Sequence, residues 1–172
     1  MLGISVYRAL KDSHDLILVA RNREKLTQLN KMYGDVEKHT IVEFDIAEVW
    51  NDFIQGFQAT GKSPAMEKLQ NELGEVDAVI NCAGIIKPHS LTDPALTLFI
   101  NGTFPHILST VYKDKLIQIT TDCVYDGLRG APYDESSQKN PVDLYGISKS
   151  LGEPLDALVL RTSIVGEELG TQ

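Results

Sequence analysis

Apolar residues come along this chain in short continuous runs, separated by longer stretches of mixed character. The runs at 16–20, 40–44, 76–81, 115–120 and 157–161 are rich in Val, Ile and Leu and read as buried strands. Residues 2–10, 23–33, 93–112 and 143–153 read as helices. The long helical region at 47–74 is broken by Thr60-Gly61-Lys62-Ser63-Pro64, so two short helices around a turn are expected there. Continuous apolar strands joined by helices predict an α/β class with a doubly wound parallel sheet covered on both faces, a Rossmann-like fold. No internal repeat or low-complexity tract interrupts the alternation, and residues 1–172 read as one domain.

In such a sheet, ligands bind outside the carboxyl ends of the strands. Those ends carry Arg21-Asn22-Arg23-Glu24-Lys25, Asp45-Ile46, Asn81-Cys82-Ala83-Gly84, Thr121-Asp122 and Arg161-Thr162-Ser163. Polar and small residues therefore gather at one edge. Helix N-caps alone explain part of this, and a nucleotide site explains the whole.

Composition narrows the choice. At 172 residues, 42% hydrophobic and 23% charged, the chain can bury one good core. A formal charge of −8 argues against nucleic acid or an anionic membrane surface as the main partner, while leaving room for a local basic pocket. No apolar run reaches the length of a membrane span and no signal pattern opens the chain, so a cytoplasmic location is expected. Cys82 and Cys123 are too few for a disulfide framework and lack metal-ligand spacing; they read as small buried thiols, and no residue set calls for a metal.

The candidate chemistry centres on Tyr145-Gly146-Ile147-Ser148-Lys149, in a helix that opens after Asn140-Pro141-Val142-Asp143. Positions four apart share a helix face, so the phenol and the ammonium can serve one site. A fixed positive charge beside a tyrosine favours phenolate and brings its pKa, near 10 when free, toward the working range. With 6 Tyr and 11 Lys, chance alone supplies about 0.4 such pairs, so the spacing needs its context.

That context is a set of motifs in order. The run Ile119-Thr120-Thr121-Asp122-Cys123-Val124-Tyr125-Asp126-Gly127 is followed by Tyr133-Asp134-Glu135, Asn140 through Lys149, and Arg161-Thr162-Ser163-Ile164-Val165-Gly166. Together they resemble the extended short-chain dehydrogenase/reductase superfamily, in the branch of the dTDP-4-dehydrorhamnose reductases. The resemblance implies NADPH-dependent reduction of a 4-keto nucleotide sugar, with dTDP-4-dehydro-L-rhamnose the leading substrate and surface polysaccharide synthesis the setting. Carried over by position, Tyr145 gives its proton to the substrate carbonyl oxygen, Lys149 steadies the phenolate and binds ribose hydroxyls, and Thr121 hydrogen-bonds the same carbonyl. Asn101 matches a helix asparagine that supports the lysine through water, and a solvent-facing polar residue is the competing explanation. Asp45 and Ile46 match the adenine-contacting position, and Cys82-Ala83-Gly84 the stretch under the adenosine ribose.

Coenzyme choice follows from the strand at 16–20. NAD enzymes place an acidic residue after it, whereas this chain has Arg21 and Arg23, which suit a 2′-phosphate. NADPH is therefore favoured, with NADH the alternative. Gly3 looks like the last glycine of the dinucleotide fingerprint, and the first strand and earlier glycines are not in the sequence. The chain also ends at Gln172, where the family continues into a substrate lobe, so the sequence is expected to be incomplete at both ends. The join at Lys113-Asp114-Lys115 hints at omitted residues too. Relatives pair through helices equivalent to 93–112 and 143–153, which implies a homodimer. Two other functions fit the same residues. One is a nucleotide-sugar epimerase or dehydratase, for which Asp122 would be the added acid. The other is a non-catalytic NADP-binding regulatory subunit like that of methionine adenosyltransferase.

Overall fold

Backbone pairing sorts the strands of this computed structural model, described here for residues 2–56, 63–128, 130 and 132–163, into two parallel sheets. One has two strands and belongs to a unit formed by residues up to 76; the other has three and belongs to a unit formed by residues 77–163. The expected parallel α/β class is borne out, with the strands divided between two sheets.

In the first unit, α1 (Leu2–Leu10) leads to β1 (Ile17–Ala20), α2 (Arg23–Tyr33), β2 (Thr40–Glu43), α3 (Ile46–Ile54) and α4 (Pro64–Leu73). β1 and β2 run parallel, with Ile17 opposite Thr40 and Ala20 opposite Glu43. Tyr7 of α1, Leu26 and Leu29 of α2, and Val36 form a buried cluster against which Leu16, Leu18 and Ile41 pack. Burying these side chains is the main stabilisation, roughly 1.5–3 kcal/mol for each large one. The Tyr7 hydroxyl reaches solvent-poor ground and donates to the Gly34 carbonyl at 3.2 Å. Helix starts are capped as their sequence signals foretell. Asp45 accepts from Ala47 N at 3.0 Å, and Ser63, with Pro64 next, accepts from Met66 N at 3.1 Å. The expected break in the region 47–74 thus separates α3 from α4, although Thr60-Gly61-Lys62 itself lies outside the described residues.

The second unit holds β3 (Val79–Asn81), α5 (Pro94–Leu98), α6 (Phe104–Tyr112), β4 (Leu116–Thr121), α7 (Leu144–Leu151) and β5 (Leu158–Thr162). Central β4 pairs with β3 from Val79–Leu116 onward and with β5 from Ile117–Leu158 to Thr121–Thr162. Its largest polar interior residue, Gln118, is fully buried; it accepts from Asn81 Nδ2 at 2.8 Å and donates to the Ile119 carbonyl at 3.0 Å. A buried amide so partnered avoids the penalty of an unmade hydrogen bond. The single helix expected at 93–112 is instead α5 and α6 joined by a π-helical turn, Phe99–Thr103. The helix expected to reach 153 ends at Leu151, where Gly152 caps it and Pro154 follows. No helix among the described residues is long and apolar enough to cross a membrane.

Candidate active site

Thr121 sits at the carboxyl end of β4 and caps the short turn Asp122–Val124. Its hydroxyl accepts from the Cys123 N–H at 3.2 Å and donates to Asp122 Oδ1 at 3.1 Å, while Ser163 donates to Asp122 Oδ2 at 2.6 Å. α7 starts where Asp143 accepts the Gly146 N–H at 2.8 Å, an N-cap that an ion pair to Lys87 at 2.7 Å holds in place. The Gly146 N–H and Lys87 keep the Asp143 carboxyl below its usual range. Tyr145 and Lys149 then fall one turn apart on α7.

Burial pushes the Tyr145 phenol above its ordinary value; the neighbouring Thr121 hydroxyl pulls it down, and Cys123, Asp122 and Asp143 add to the rise. The lysine charge expected to lower it is not among these influences. Burial is the largest influence on the phenol, and the Lys149 ammonium donates from Nζ to the Ile119 carbonyl at 2.9 Å. Lys149 is only 7% exposed, and burial presses its pKa below the ordinary value, against the opposing pull of Cys82 and Glu153. Among the described residues Nζ makes that one hydrogen bond, so a three-donor ammonium keeps capacity for a ligand.

The loop after β3 lies beside it. A methyl group on Gly84 would stand 3.1 Å from Asn101 Oδ1 and 3.5 Å from Lys149 Nζ, so the missing side chain keeps that space open. Cys82 is half-buried, its thiol pushed up by burial and drawn down by Lys149, and the Ala83 N–H is held by Asn81 Oδ1 at 3.1 Å. Asn101, in the middle of the π-helical turn, is 1% exposed. Its Oδ1 accepts from Ile85 N at 2.8 Å, and its Nδ2 donates to the Ile85 carbonyl at 2.9 Å and to Ser148 Oγ at 3.1 Å. Both amide protons are thereby spent on the loop and on α7. An open shelf of Cys82, Ala83 and Gly84 beside an under-satisfied ammonium fits a nicotinamide coenzyme. The second unit thus brings together Thr121, Tyr145, Lys149, Cys82, Ala83, Gly84 and Asn101.

The remaining expected residues lie in the first unit. Gly3 is exposed in the first turn of α1. Arg21 and Arg23, both exposed, and half-buried Asn22 follow β1; Asp45 and Ile46 follow β2, Asp45 as the cap of α3. The parallel register places both sets at the carboxyl edge of this sheet. Arg23 pairs loosely with Glu43 Oε2 at 3.8 Å, an acidic neighbour that the sequence reading left out. It also missed Ser148, Lys87 and Gly146. Of these, the glycine inside a helix carried a usable signal, since a helix interior favours almost any residue over glycine.

A family model described as the RmlD substrate binding domain matches residues 55–171, a stretch that includes Thr121, Tyr145 and Lys149. A probable low-salt glycan biosynthesis reductase from Haloferax volcanii is 37% identical over 101 residues, 53% of this chain and 34% of that protein. The methionine adenosyltransferase 2 subunit beta of Danio rerio is 37% identical over 82 residues, 44% of this chain and 24% of that protein. The chain therefore spans about a third and about a quarter of these relatives' lengths. Among solved structures, a dTDP-4-dehydrorhamnose reductase from Bacillus anthracis in complex with NADP superposes with a TM-score of 0.58 at 23% identity, covering 89% of this chain and 56% of that one. The match over residues 55–171 is more than half of the sequence, and the chain belongs to the RmlD substrate-binding domain family, within the extended short-chain dehydrogenase/reductase type.

Proposed function

We propose that the protein is an NADPH-dependent reductase of a 4-keto nucleotide sugar, with dTDP-4-dehydro-L-rhamnose as the first substrate to test. The observation that carries this reading is Tyr145 on α7, its phenol beside the Thr121 hydroxyl and kept protonated by burial. Ketone reduction needs an acid at the carbonyl oxygen, and a protonated phenol supplies it. Thr121, whose proton now goes to Asp122, would turn that donor to the same oxygen as charge develops. Lys149 would hold the ribose of the nicotinamide half and the shelf Cys82-Ala83-Gly84 would pass under the adenosine ribose, with Asn101 fixing the shelf to α7. Arg21, Asn22, Arg23, Asp45 and Ile46 are the candidates for the adenosine half, with Gly3 for the pyrophosphate, and the two arginines favour NADPH over NADH. When bound, the coenzyme supplies the hydride.

The glycan reductase among the relatives and the NADP complex among the fold neighbours support the reading. Cytoplasmic location and a homodimer are part of the proposal; exposed Ile147 and Leu151 on α7 give a pairing face. The alternative is a non-catalytic NADP-binding subunit, favoured by the identity with the Danio rerio adenosyltransferase subunit. Incubating the protein with NADPH and dTDP-4-dehydro-L-rhamnose separates the two. Coenzyme oxidation coupled to formation of the deoxysugar supports the reductase. NADPH binding without turnover sinks it and leaves the subunit.

A further inference from the structure

Gly146 directly follows Tyr145, is buried, and has an ordinary backbone conformation, so nothing in its dihedral angles calls for glycine. Its surroundings do. A methyl group at position 146 would overlap the Cys123 carbonyl oxygen and stand 3.0 Å from Pro141 Cβ. Comfortable contact needs about 3.5 Å, so any side chain would drive the first turn of α7 away from that carbonyl by on the order of 1 Å. Cys123 lies in the turn that Thr121 caps. The gap between α7 and that turn is therefore the gap between the helix of Tyr145 and the residue beside its phenol.

We propose that Gly146 is a positioning residue: its missing side chain seats α7 on the Cys123 carbonyl and so sets the reach of the Tyr145 phenol toward Thr121. This rests on the reading of Tyr145 as proton donor. Two other contacts act in the same direction. The Asp143 carboxylate takes the Gly146 N–H, and Asn140 N donates to the Val124 carbonyl at 2.9 Å, closing the loop between the two catalytic candidates. Displacements near 1 Å at reacting groups cost about 10²-fold in rate, so a small shift of α7 is enough to matter.

The test compares Gly146→Ala with Leu116→Ala. Leu116 is fully buried at the amino end of β4, five residues and about 16 Å along the strand from Thr121. It serves as a destabilising control away from α7. Melting temperature, NADPH affinity by fluorescence, kcat and KM per NADPH-binding site, and the phenolate absorbance of Tyr145 measured against Tyr145→Phe are recorded for each. Both variants are expected to melt below the wild type and to bind NADPH within about threefold of it. Gly146→Ala alone should lose about 10²-fold in kcat with KM little changed, and should displace the Tyr145 titration. A kcat within about twofold of wild type, or an equal loss in Leu116→Ala, overturns the proposal.

Should Gly146→Ala not fold, Asp143→Ala removes the carboxylate that takes the Gly146 N–H and so loosens the seat of α7 without a clash. A drop in its kcat at unchanged NADPH affinity supports the proposal, and an unchanged kcat overturns it. If the wild type turns over no keto sugar, the reductase reading fails, and the shift or constancy of the Tyr145 titration in Gly146→Ala still decides the positioning role.

Discussion

Tyr145 and Lys149 were recognisable from their spacing, but the forces on them were not. Spacing puts both on one helix face and suggests that the ammonium acidifies the phenol. The folded chain half-buries Tyr145 and buries Lys149, which raises the first and lowers the second, and ties Nζ to the Ile119 carbonyl. Desolvation depends on what packs around a side chain, which no local pattern records. The consequence is a tyrosine that stays protonated through neutral pH, as a proton donor must. Without coenzyme, the Tyr145 phenol is expected to titrate above its ordinary 10.0. The difference in phenolate absorbance between wild type and Tyr145→Phe measures it, and a midpoint below 10.0 would reject the account of the free site. At the other end of the cofactor candidates, Arg21 is exposed and Arg23 shares its charge with Glu43. Arg21→Ala should therefore cut NADPH affinity by about tenfold while leaving NADH affinity within about twofold, as expected for one lost charge-assisted contact.

The elements themselves were largely legible, since continuous apolar runs and capping residues are local signals. Their bounds moved where partners decide. β3 begins at Val79 rather than at Val76, because its ladder with β4 starts where Val79 meets Leu116, the first residue of that strand. The π-helical turn at Phe99–Thr103 escaped notice because a five-residue hydrogen-bond step leaves no mark in a 3.6-residue periodicity. Also invisible was the ion cluster that joins the end of α7 to β5. Glu153, its side chain 5% exposed, takes Arg161 Nη2 at 2.8 Å and Lys139 at 3.0 Å, and Arg161 Nη1 continues to the Tyr125 hydroxyl at 2.7 Å. Burial pushes the Glu153 carboxyl up, but the bonds from Arg161 and Lys139 outweigh it and hold it below its ordinary 4.5. A depressed folded value adds stability above 4.5, and that stability disappears as pH falls through the folded value. Glu153→Gln should cost about 1–3 kcal/mol near neutrality by leaving the half-buried Arg161 guanidinium without its carboxylate, and its deficit should shrink in acid. Urea unfolding at pH 7 and below 4 checks this; a deficit independent of pH would mean that the ion cluster is not the source.

Over the whole molecule, the alternation of strands and helices foretold the parallel α/β class, and the division into a two-stranded and a three-stranded sheet was not spelled out by it. Pairing between distant strands is settled by backbone geometry that hydropathy does not encode. The candidate residues nonetheless fall as that class demands, at the carboxyl edges of parallel strands: Arg21 and Asp45 after β1 and β2, Cys82 and Thr121 at β3 and β4. The proposed function rests on the second of these edges. The measurement that bears on it most directly is NADPH oxidation with dTDP-4-dehydro-L-rhamnose by the wild type and by Tyr145→Phe, with NADPH binding measured for both. The account predicts turnover by the wild type and a loss of about 10²-fold or more in kcat for the variant, at equal coenzyme affinity. Equal turnover by the two proteins, or NADPH binding with no turnover by either, would contradict it.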